Sequence, residues 1–167
     1  MRLAVGDTVV YRSHGAGRVA ARETRVVLGT PQDVVVLALA NGLRVELPLE
    51  RAHELLRALS SEADLSRVQE TLGADHTLSS EPWLKRQRES RANLADGEAV
   101  GLAHIIRNSA RREAARSPKG AKVQLSASEW EMATKARRLL STEIAFVRGI
   151  ELEEADIWID RHVGLEP

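Results

Sequence analysis

The sequence predicts an α+β protein: a small, strongly bent β-sheet or barrel over residues 1–58, followed by a compact all-α helical bundle over residues 59–167. The first part alternates between apolar and charged residues and is interrupted by glycine and Asn-Gly turn signals, as short strands are. After Ser60 the apolar residues recur at helical spacing instead. A chain of 167 residues is long enough for two small domains, each with a modest core.

Four segments of the N-terminal part have strand character, and a fifth is expected near residues 54–59. The four cover residues 5–11, 18–28, 34–40 and 43–47. Glycine-containing breaks at 13–17, 29–33 and 41–42 separate them, and Pro48 ends the fourth. So few short strands cannot build a sandwich, and bending into a small closed or nearly closed sheet is the expected solution.

The C-terminal part has the pattern of five helices with short breaks between them. They cover approximately residues 61–73, 80–96, 98–116, 126–149 and 151–162. Four of them carry an apolar stripe, formed in turn by Leu65, Val68 and Leu72; Leu102, Ile105 and Ile106; Ala133, Leu140, Ile144 and Val147; and Leu152, Ala155 and Ile159. A capping box of Ser126 and Glu129 starts the fourth helix, and Gly149 ends it. Residues 74–80 and 117–120 are expected to form a linker and a loop.

Two tryptophans and three arginines in these helices are expected to have ordinary structural roles. Trp130 is in register with the apolar stripe of its helix and is predicted to be a core residue. Trp158 lies at the edge of the last apolar face and is predicted to pack there. Arg107, Arg111 and Arg112 are predicted to stay outside the bundle.

Charge is distributed unevenly along a chain whose formal net charge is zero. The segment from Trp83 to Lys122 holds ten basic and four acidic residues, whereas residues 151–167 hold six acidic residues and one arginine. Such asymmetry favours a polyanion-binding surface in the middle of the chain over a basic coat on the whole molecule.

The sequence does not contain the residues and motifs that several kinds of protein chemistry require. There is no cysteine, which excludes disulfides, thiolate catalysis and cysteine zinc sites. The five histidines (His14, His53, His76, His104 and His162) have no metal-ligand spacing, and no phosphate loop or nucleophile elbow is present. We therefore expect no catalytic residues, metal, cofactor or small-molecule substrate. No signal-peptide or membrane-spanning pattern is seen, so a cytoplasmic protein is expected.

The stretch from Ser79 to Leu94 places Trp83 beside Lys85, Arg86, Arg88 and Arg91 at the start of a helix. Ser80 is expected to cap that helix, with Glu81 and Pro82 in its first turn. A tryptophan in a first turn has few helical neighbours to cover it, and the following cations suit phosphates. The arrangement is typical of an apolar wedge presented to nucleic acid. Alternatively, Trp83 packs on a neighbouring element and the cations form a solvated face.

Motifs along nearly the whole chain resemble those of the CarD/CdnL family of bacterial RNA polymerase-binding transcription factors. They are Val5 to Tyr11 with His14-Gly15, Leu43 to Pro48, Pro82-Trp83 with its basic run, Asn93 to Gly97, and Glu129 to Glu143. Their order and spacing together are specific to the family. The sheet module is also similar to one in the transcription-repair coupling factor.

The resemblance implies a Tudor-like N-terminal sheet that binds the β subunit of RNA polymerase. Arg25 matches a basic residue of that contact. A second basic position falls on Glu46 in this sequence, with Arg44 two residues away on the same strand face. No AT-hook segment is present, so the chain resembles the compact form of the family.

For the helical part, the resemblance implies contact with promoter DNA at the upstream edge of the transcription bubble. Trp83 matches the tryptophan that wedges into the minor groove there. Lys85, Arg86 and Arg88 match the surrounding residues that meet the phosphate backbone. The resulting hypothesis is a non-enzymatic regulator that stabilises the open promoter complex without sequence specificity. The alternative is a protein-interaction adaptor, whose sheet binds another partner and whose helical bundle is structural.

Overall fold

The protein was analysed as a computed structural model, which describes residues 1–74, 80–115, 120–121 and 123–164. The expected α+β fold class is confirmed, with an antiparallel sheet followed by helices. Contacts within the chain define two compact units, one comprising Met1–Leu59 and the other beginning at Ser60. We refer to them as the sheet unit and the helical unit.

The sheet unit has five antiparallel strands and one short helix. Its elements are β1 (Thr8–Tyr11), β2 (Gly15–Val27), β3 (Thr30–Leu39), β4 (Arg44–Pro48), α1 (Leu49–Leu55) and β5 (Leu56–Ala58). The strand order is β4-β3-β2-β1-β5, and a register shift between Val19 and Ala21 interrupts the β2–β3 ladder. Such a bulge bends and twists a strand. Apolar side chains on the inner face form the core: Leu3, Val9, Val19, Val35, Leu37, Leu39, Leu47, Ala52 and Leu56.

Glycine is required at position 17 because two strands approach closely there. A Cβ atom added to Gly17 would lie 2.6 Å from the backbone oxygen of Ala38 and 2.9 Å from a side-chain carbon of Leu39. Any larger residue would therefore push β2 and β3 apart at a point where Gly17 and Leu39 are buried.

The turn expected over residues 29–33 is shorter in the structure. Leu28 and Gly29 both have positive φ, so two residues suffice to reverse the chain. Residues from Thr30 onwards belong to β3, and Pro31 pairs with Val26. A proline is tolerated there because β4 pairs with β3 only over Val34–Ala38, which leaves Pro31 without a second neighbouring strand.

Helix α1 was absent from the sequence prediction. Pro48 was expected only to end a strand, yet it is also the N-cap residue of this seven-residue helix. Only Ala52 of this helix is fully buried. A single buried position in so short a segment cannot show a helical repeat. The fifth strand, expected near 54–59, is β5.

The described residues of the helical unit form five helices. They are α2 (Glu62–Gly73), α3 (Trp83–Asp96), α4 (Ala99–Ala114), α5 (Ala127–Arg148) and α6 (Leu152–Val163). Helix α4 packs against α2, α3 and α5, while α6 packs against α5 and α2. The core is formed by apolar side chains that include Leu65, Val68, Leu72, Leu102, Ile105, Ile106, Met132, Ala136, Leu139, Leu140, Ile144, Ala155, Ile159 and Val163.

The ends of these helices agree with the sequence signals in most places. Ser126 and Glu129 form the expected capping box, and Gly149 ends α5 in the left-handed conformation. Ser61 pairs with Asp64 in a second capping box at the start of α2. The expected linker at 74–80 and loop at 117–120 lie mostly outside the described residues.

The prediction that Trp130 is a core residue is wrong. Its side chain is 58% exposed. The buried stripe of α5 runs through Met132, Ala136, Leu139, Leu140 and Ile144, and Trp130 lies about a third of a turn away from the centre of that stripe. Trp158 is packed against the core as predicted, with Arg148 over its ring. Leu152, expected on the same apolar face, is about half exposed.

Candidate nucleic-acid interface

Helix α3 begins at Trp83, and Pro82 is its N-cap residue. The prediction that Ser80 caps the helix is wrong, because no side chain caps this end. The backbone oxygen of Pro82 accepts the first helical hydrogen bonds, from the amides of Lys85 and Arg86. Ser80 therefore precedes the N-cap position by two residues. Trp83 is the first residue of the helix, and no helical turn precedes it.

The Trp83 side chain is 45% exposed and belongs to neither buried cluster. Its neighbour Leu84 is exposed as well. Two adjacent large apolar side chains at a helix start therefore face solvent. Burying each of them against a partner would contribute roughly 1.5–3 kcal/mol of favourable free energy. Exposure of this kind marks contact surfaces more often than exposure of a single residue does.

Lys85 and Arg88, two of the three cations expected near the tryptophan, are on the surface. The Lys85 ammonium lies 3.0 Å from a carboxylate oxygen of Glu81, and this hydrogen bond and charge raise the pKa of Lys85. Arg88 makes no ion pair with the residues that the structure describes, and Arg91 is also exposed. These side chains leave positive charge available beside Trp83.

Arg86, the third expected cation, points inward. Its Nη1 atom donates to the backbone oxygen of Glu81 at 2.7 Å, and its Nη2 atom lies 3.5 Å from Oε1 of Glu129. Glu129 also belongs to the capping box of α5. Arg86 therefore connects the starts of α3 and α5 and holds the first turn that carries Trp83.

The prediction that the arginines of α4 stay outside the bundle is wrong for Arg107, which is 3% exposed. Its guanidinium donates to the backbone oxygen of Thr71 and to Oδ1 of Asn108, and it contacts Nδ1 of His104. Burial lowers the pKa of Arg107, as does the nearby charge of Arg111. Because α4 packs against three other helices, part of its polar side, at Arg107, also faces protein.

On the sheet unit, Arg25 and Glu46 are in direct contact. The Arg25 Nη2 atom lies 2.8 Å from carboxylate oxygens of both Glu23 and Glu46. The hydrogen bond that Arg25 donates to Glu23 and the charge of Glu46 raise the pKa of Arg25. Arg44 is exposed on the same strand as Glu46. The acidic residue at the second expected basic position therefore neutralises part of this surface.

An apolar tip next to Arg25 was not singled out from the sequence. Val26, Val27 and Leu28 are all exposed, Leu28 completely. They lie where the β2–β3 hairpin turns. The signal was present in the sequence, since a β-branched pair and a leucine precede the turn glycine, but only the strand register shows that no other strand covers them.

The described parts of the chain contain neither a metal-ion cluster nor a membrane-spanning helix. No group of three or more histidine or acidic side chains among them is placed to hold a metal ion. None of their helices is long and apolar enough to cross a membrane.

Two family matches cover most of the sequence. Residues 3–60 match the CarD-like/TRCF RID domain, and residues 67–160 match the CarD C-terminal domain. The chain belongs to the CarD family. It is also similar to "Putative transcription factor YdeB" of Bacillus subtilis (strain 168), with 24% identity over 148 residues, which are 87% of this chain and 92% of that protein.

The resemblance seen in the sequence is thereby confirmed. Both domains are those of CarD-family transcription factors. The two domains make this chain a transcription-associated factor that interacts with RNA polymerase.

Proposed function

We propose that this CarD-family protein stabilises the open promoter complex of bacterial RNA polymerase. The sheet unit binds the β subunit of the polymerase, and Trp83 enters the minor groove of promoter DNA at the upstream edge of the transcription bubble. Contacts from Lys85 and Arg88 hold the phosphate backbone, independently of sequence. The protein would act in the bacterial cytoplasm, at the nucleoid.

The observation that supports this proposal is the half-exposed Trp83 at the start of α3, followed along the helix by the surface cations Lys85 and Arg88. An apolar side chain that inserts at a base step must protrude, and cations beside it must reach the phosphates. Arg86 contributes differently in this arrangement: it fixes the helix start through Glu81 and Glu129, so that the indole is held ready.

The indole stabilises open DNA because it prefers that state. At a partly unstacked step it gains stacking and buried area that the closed duplex denies it. A ligand shifts a conformational equilibrium by its difference in affinity for the two states. A preference of about 1–3 kcal/mol would raise a small open fraction about five- to hundredfold. No chemical step is needed.

Binding to polymerase compensates for weak DNA affinity. A protein with zero net charge has a local basic surface rather than a general attraction for DNA. Tethering through the sheet unit raises the effective concentration of the helical unit at the bubble. We place the tether at the surface of Arg25, Arg44 and Glu46, together with the exposed hairpin tip, because it combines charge with accessible apolar area.

The lifetime of open complexes on a linear promoter template, measured after competitor challenge with the matching polymerase, tests the proposal. Wild-type protein should lengthen the lifetime, and Trp83→Ala should lose at least about four-fifths of that effect if the indole supplies roughly 1 kcal/mol or more. Trp130→Ala is the matched control, since it removes another exposed tryptophan of the helical unit.

Two results would contradict the proposal. One is an unchanged lifetime with folded wild-type protein that binds polymerase. The other is an equal loss with Trp83→Ala and Trp130→Ala. The adaptor alternative is favoured by the exposed hairpin tip alone; it predicts that Trp83→Ala leaves partner binding unchanged and that no promoter effect exists to be lost.

A further inference from the structure

A cavity of about 570 Å³ lies between α3, α4 and α5, on the inner side of the helix that carries Trp83. It is within the range of small-molecule sites. Its charged lining residues are four arginines and two glutamates: Arg86, Arg107, Arg111, Arg112, Glu89 and Glu129. The wall is therefore basic on balance.

Two arginines of α4, Arg107 and Arg111, are incompletely paired among the described residues, whereas the charge of Arg112 is close enough to Glu129 to lower the pKa of that carboxyl. Every acceptor that Arg107 contacts is a neutral group, although the residue is almost completely buried. The Nε atom of Arg111 is buried and has no hydrogen-bond partner among the described residues. A desolvated guanidinium without a carboxylate attracts anions more strongly than a surface one does.

A second unpartnered group lies in the opposite wall. Gln87 is 4% exposed, and its Oε1 atom is buried without a hydrogen-bond donor from the parts of the chain that the structure describes. An unpaired buried polar group costs about 1–3 kcal/mol. Ile105, Met132 and Leu125 give the lining an apolar part. The cavity thus offers cations, an acceptor and an apolar surface.

We propose that this cavity binds a phosphorylated small molecule of the nucleotide class. The phosphate contacts Arg111 and Arg112, a donor of the ligand reaches Oε1 of Gln87, and an apolar or planar body lies on Ile105. Both orphan groups would then be paired. The inference does not depend on the proposed role of Trp83, whose side chain is absent from the cavity lining.

Because Arg86 and Gln87 of α3 line the cavity, a ligand would also touch the helix that presents the candidate DNA contact. Helix α3 is largely exposed in the structure. A bound ligand would add contacts that join α3 to α4. A bound nucleotide would therefore restrict the motion of α3.

The test is titration of the full-length protein with AMP, GMP, ATP and GTP, followed by isothermal calorimetry and by amide chemical shifts. Inorganic phosphate and adenosine serve as ligand controls. We expect one nucleotide to bind, and Arg111→Gln to weaken it at least about tenfold. Ala92→Trp, which keeps every arginine and fills space at the cavity wall, should weaken it too. Arg138→Gln removes an exposed arginine of α5 that does not line the cavity; it is the matched control for charge and should leave binding unchanged.

Three outcomes would overturn the proposal. Wild-type protein could bind none of the four nucleotides up to about 5 mM, a concentration that detects even weak sites. Arg138→Gln could weaken binding as much as Arg111→Gln does, which would indicate attraction to surface charge. A duplex oligonucleotide alone could bind, with Arg111→Gln weakening it, which would assign these arginines to the DNA interface. Circular dichroism of each variant confirms that it is folded.

Discussion

Helices α3 and α4 are neighbours in sequence, and both are rich in arginine, but they use it in opposite ways. Only Gln87 is fully buried on α3, whereas α4 buries seven side chains, Arg107 among them. The difference comes from their surroundings: α4 is enclosed by three helices, while α3 leaves most of its surface open. A basic residue becomes a contact group or a core group according to the packing around its helix.

The attachment of α3 explains how it stays in place with so little burial. At its C-terminal end Leu94 packs on the core, and Asn93 lies against Gly101 of α4. At its N-terminal end Arg86 contacts Glu129. The helix is therefore fixed at two points, and the face between them remains free for a partner.

The largest expected effect sharpens this contrast between the arginines of the two helices. Arg107→Ala should reduce the free energy of unfolding by about 2 kcal/mol, because Thr71 and Asn108 lose a buried donor and the core loses the side-chain stem. Arg88→Ala should change it by less than about 0.5 kcal/mol. Urea unfolding followed by circular dichroism measures both.

Arg107→Met separates the two contributions of Arg107, since it keeps the stem and removes the donors. It should recover part of the loss. Equal effects of Arg107→Ala and Arg88→Ala on urea unfolding would break the comparison.

A smaller effect on stability should distinguish the N-terminal ends of α3 and α5. Ser126→Ala removes a side chain that caps α5 and should cost about 1 kcal/mol. Ser80→Ala should cost no more than about 0.3 kcal/mol, because Ser80 does not cap α3. Thermal unfolding of the two variants compares them directly. If Ser80→Ala proved as costly as Ser126→Ala, α3 would have a capped start in solution, against the structure.

The smallest effect is a pH dependence at Glu129, the residue that links α3 to α5. Burial alone would raise the pKa of Glu129, but hydrogen bonds from Ser126 and the charges of Arg112 and Arg86 outweigh it and lower the pKa below its ordinary value of 4.5. Since the folded-state pKa is lowered, the stabilisation is complete above pH 4.5 and is lost as the pH falls through the folded-state value.

Comparing wild type with Glu129→Gln isolates this contribution. The pKa of Asp64 is also lowered, first by hydrogen bonding with the Ser61 backbone amide, so both proteins should lose stability in acid. The difference between their unfolding free energies should shrink as the pH falls below 4.5. A difference that stays constant over this range would show that the Glu129 charge does not contribute.

The sequence was informative where a pattern depends on one element alone. Periodicity and capping residues indicated the strands and the five helices of the helical unit, and Ser126 with Glu129 marked the start of α5 correctly. Trp130 and Arg107 were misplaced because the burial of a helical residue depends on which helices surround it. The helix α1 was missed because it spans only two turns.

Some features of the candidate site were also indicated by the local sequence, whereas others are shown only by the fold. The position of Trp83 at a helix start, and the cations after it, could be read locally. The contacts between Arg86 and Glu129 and between Arg25 and Glu46 join distant segments, and only the fold brings them together. The cavity between α3, α4 and α5 had no sequence signal, because its lining comes from three helices.

The low burial of α3 has a consequence for amide hydrogen exchange. A helix with one fully buried side chain can open without unfolding the bundle, so its amides should exchange faster than those of α4. A partner that binds α3 must then suppress this local opening, which consumes part of the binding free energy. The segment that carries Trp83 would bind weakly by itself and hold firmly only when the rest of the protein is already docked.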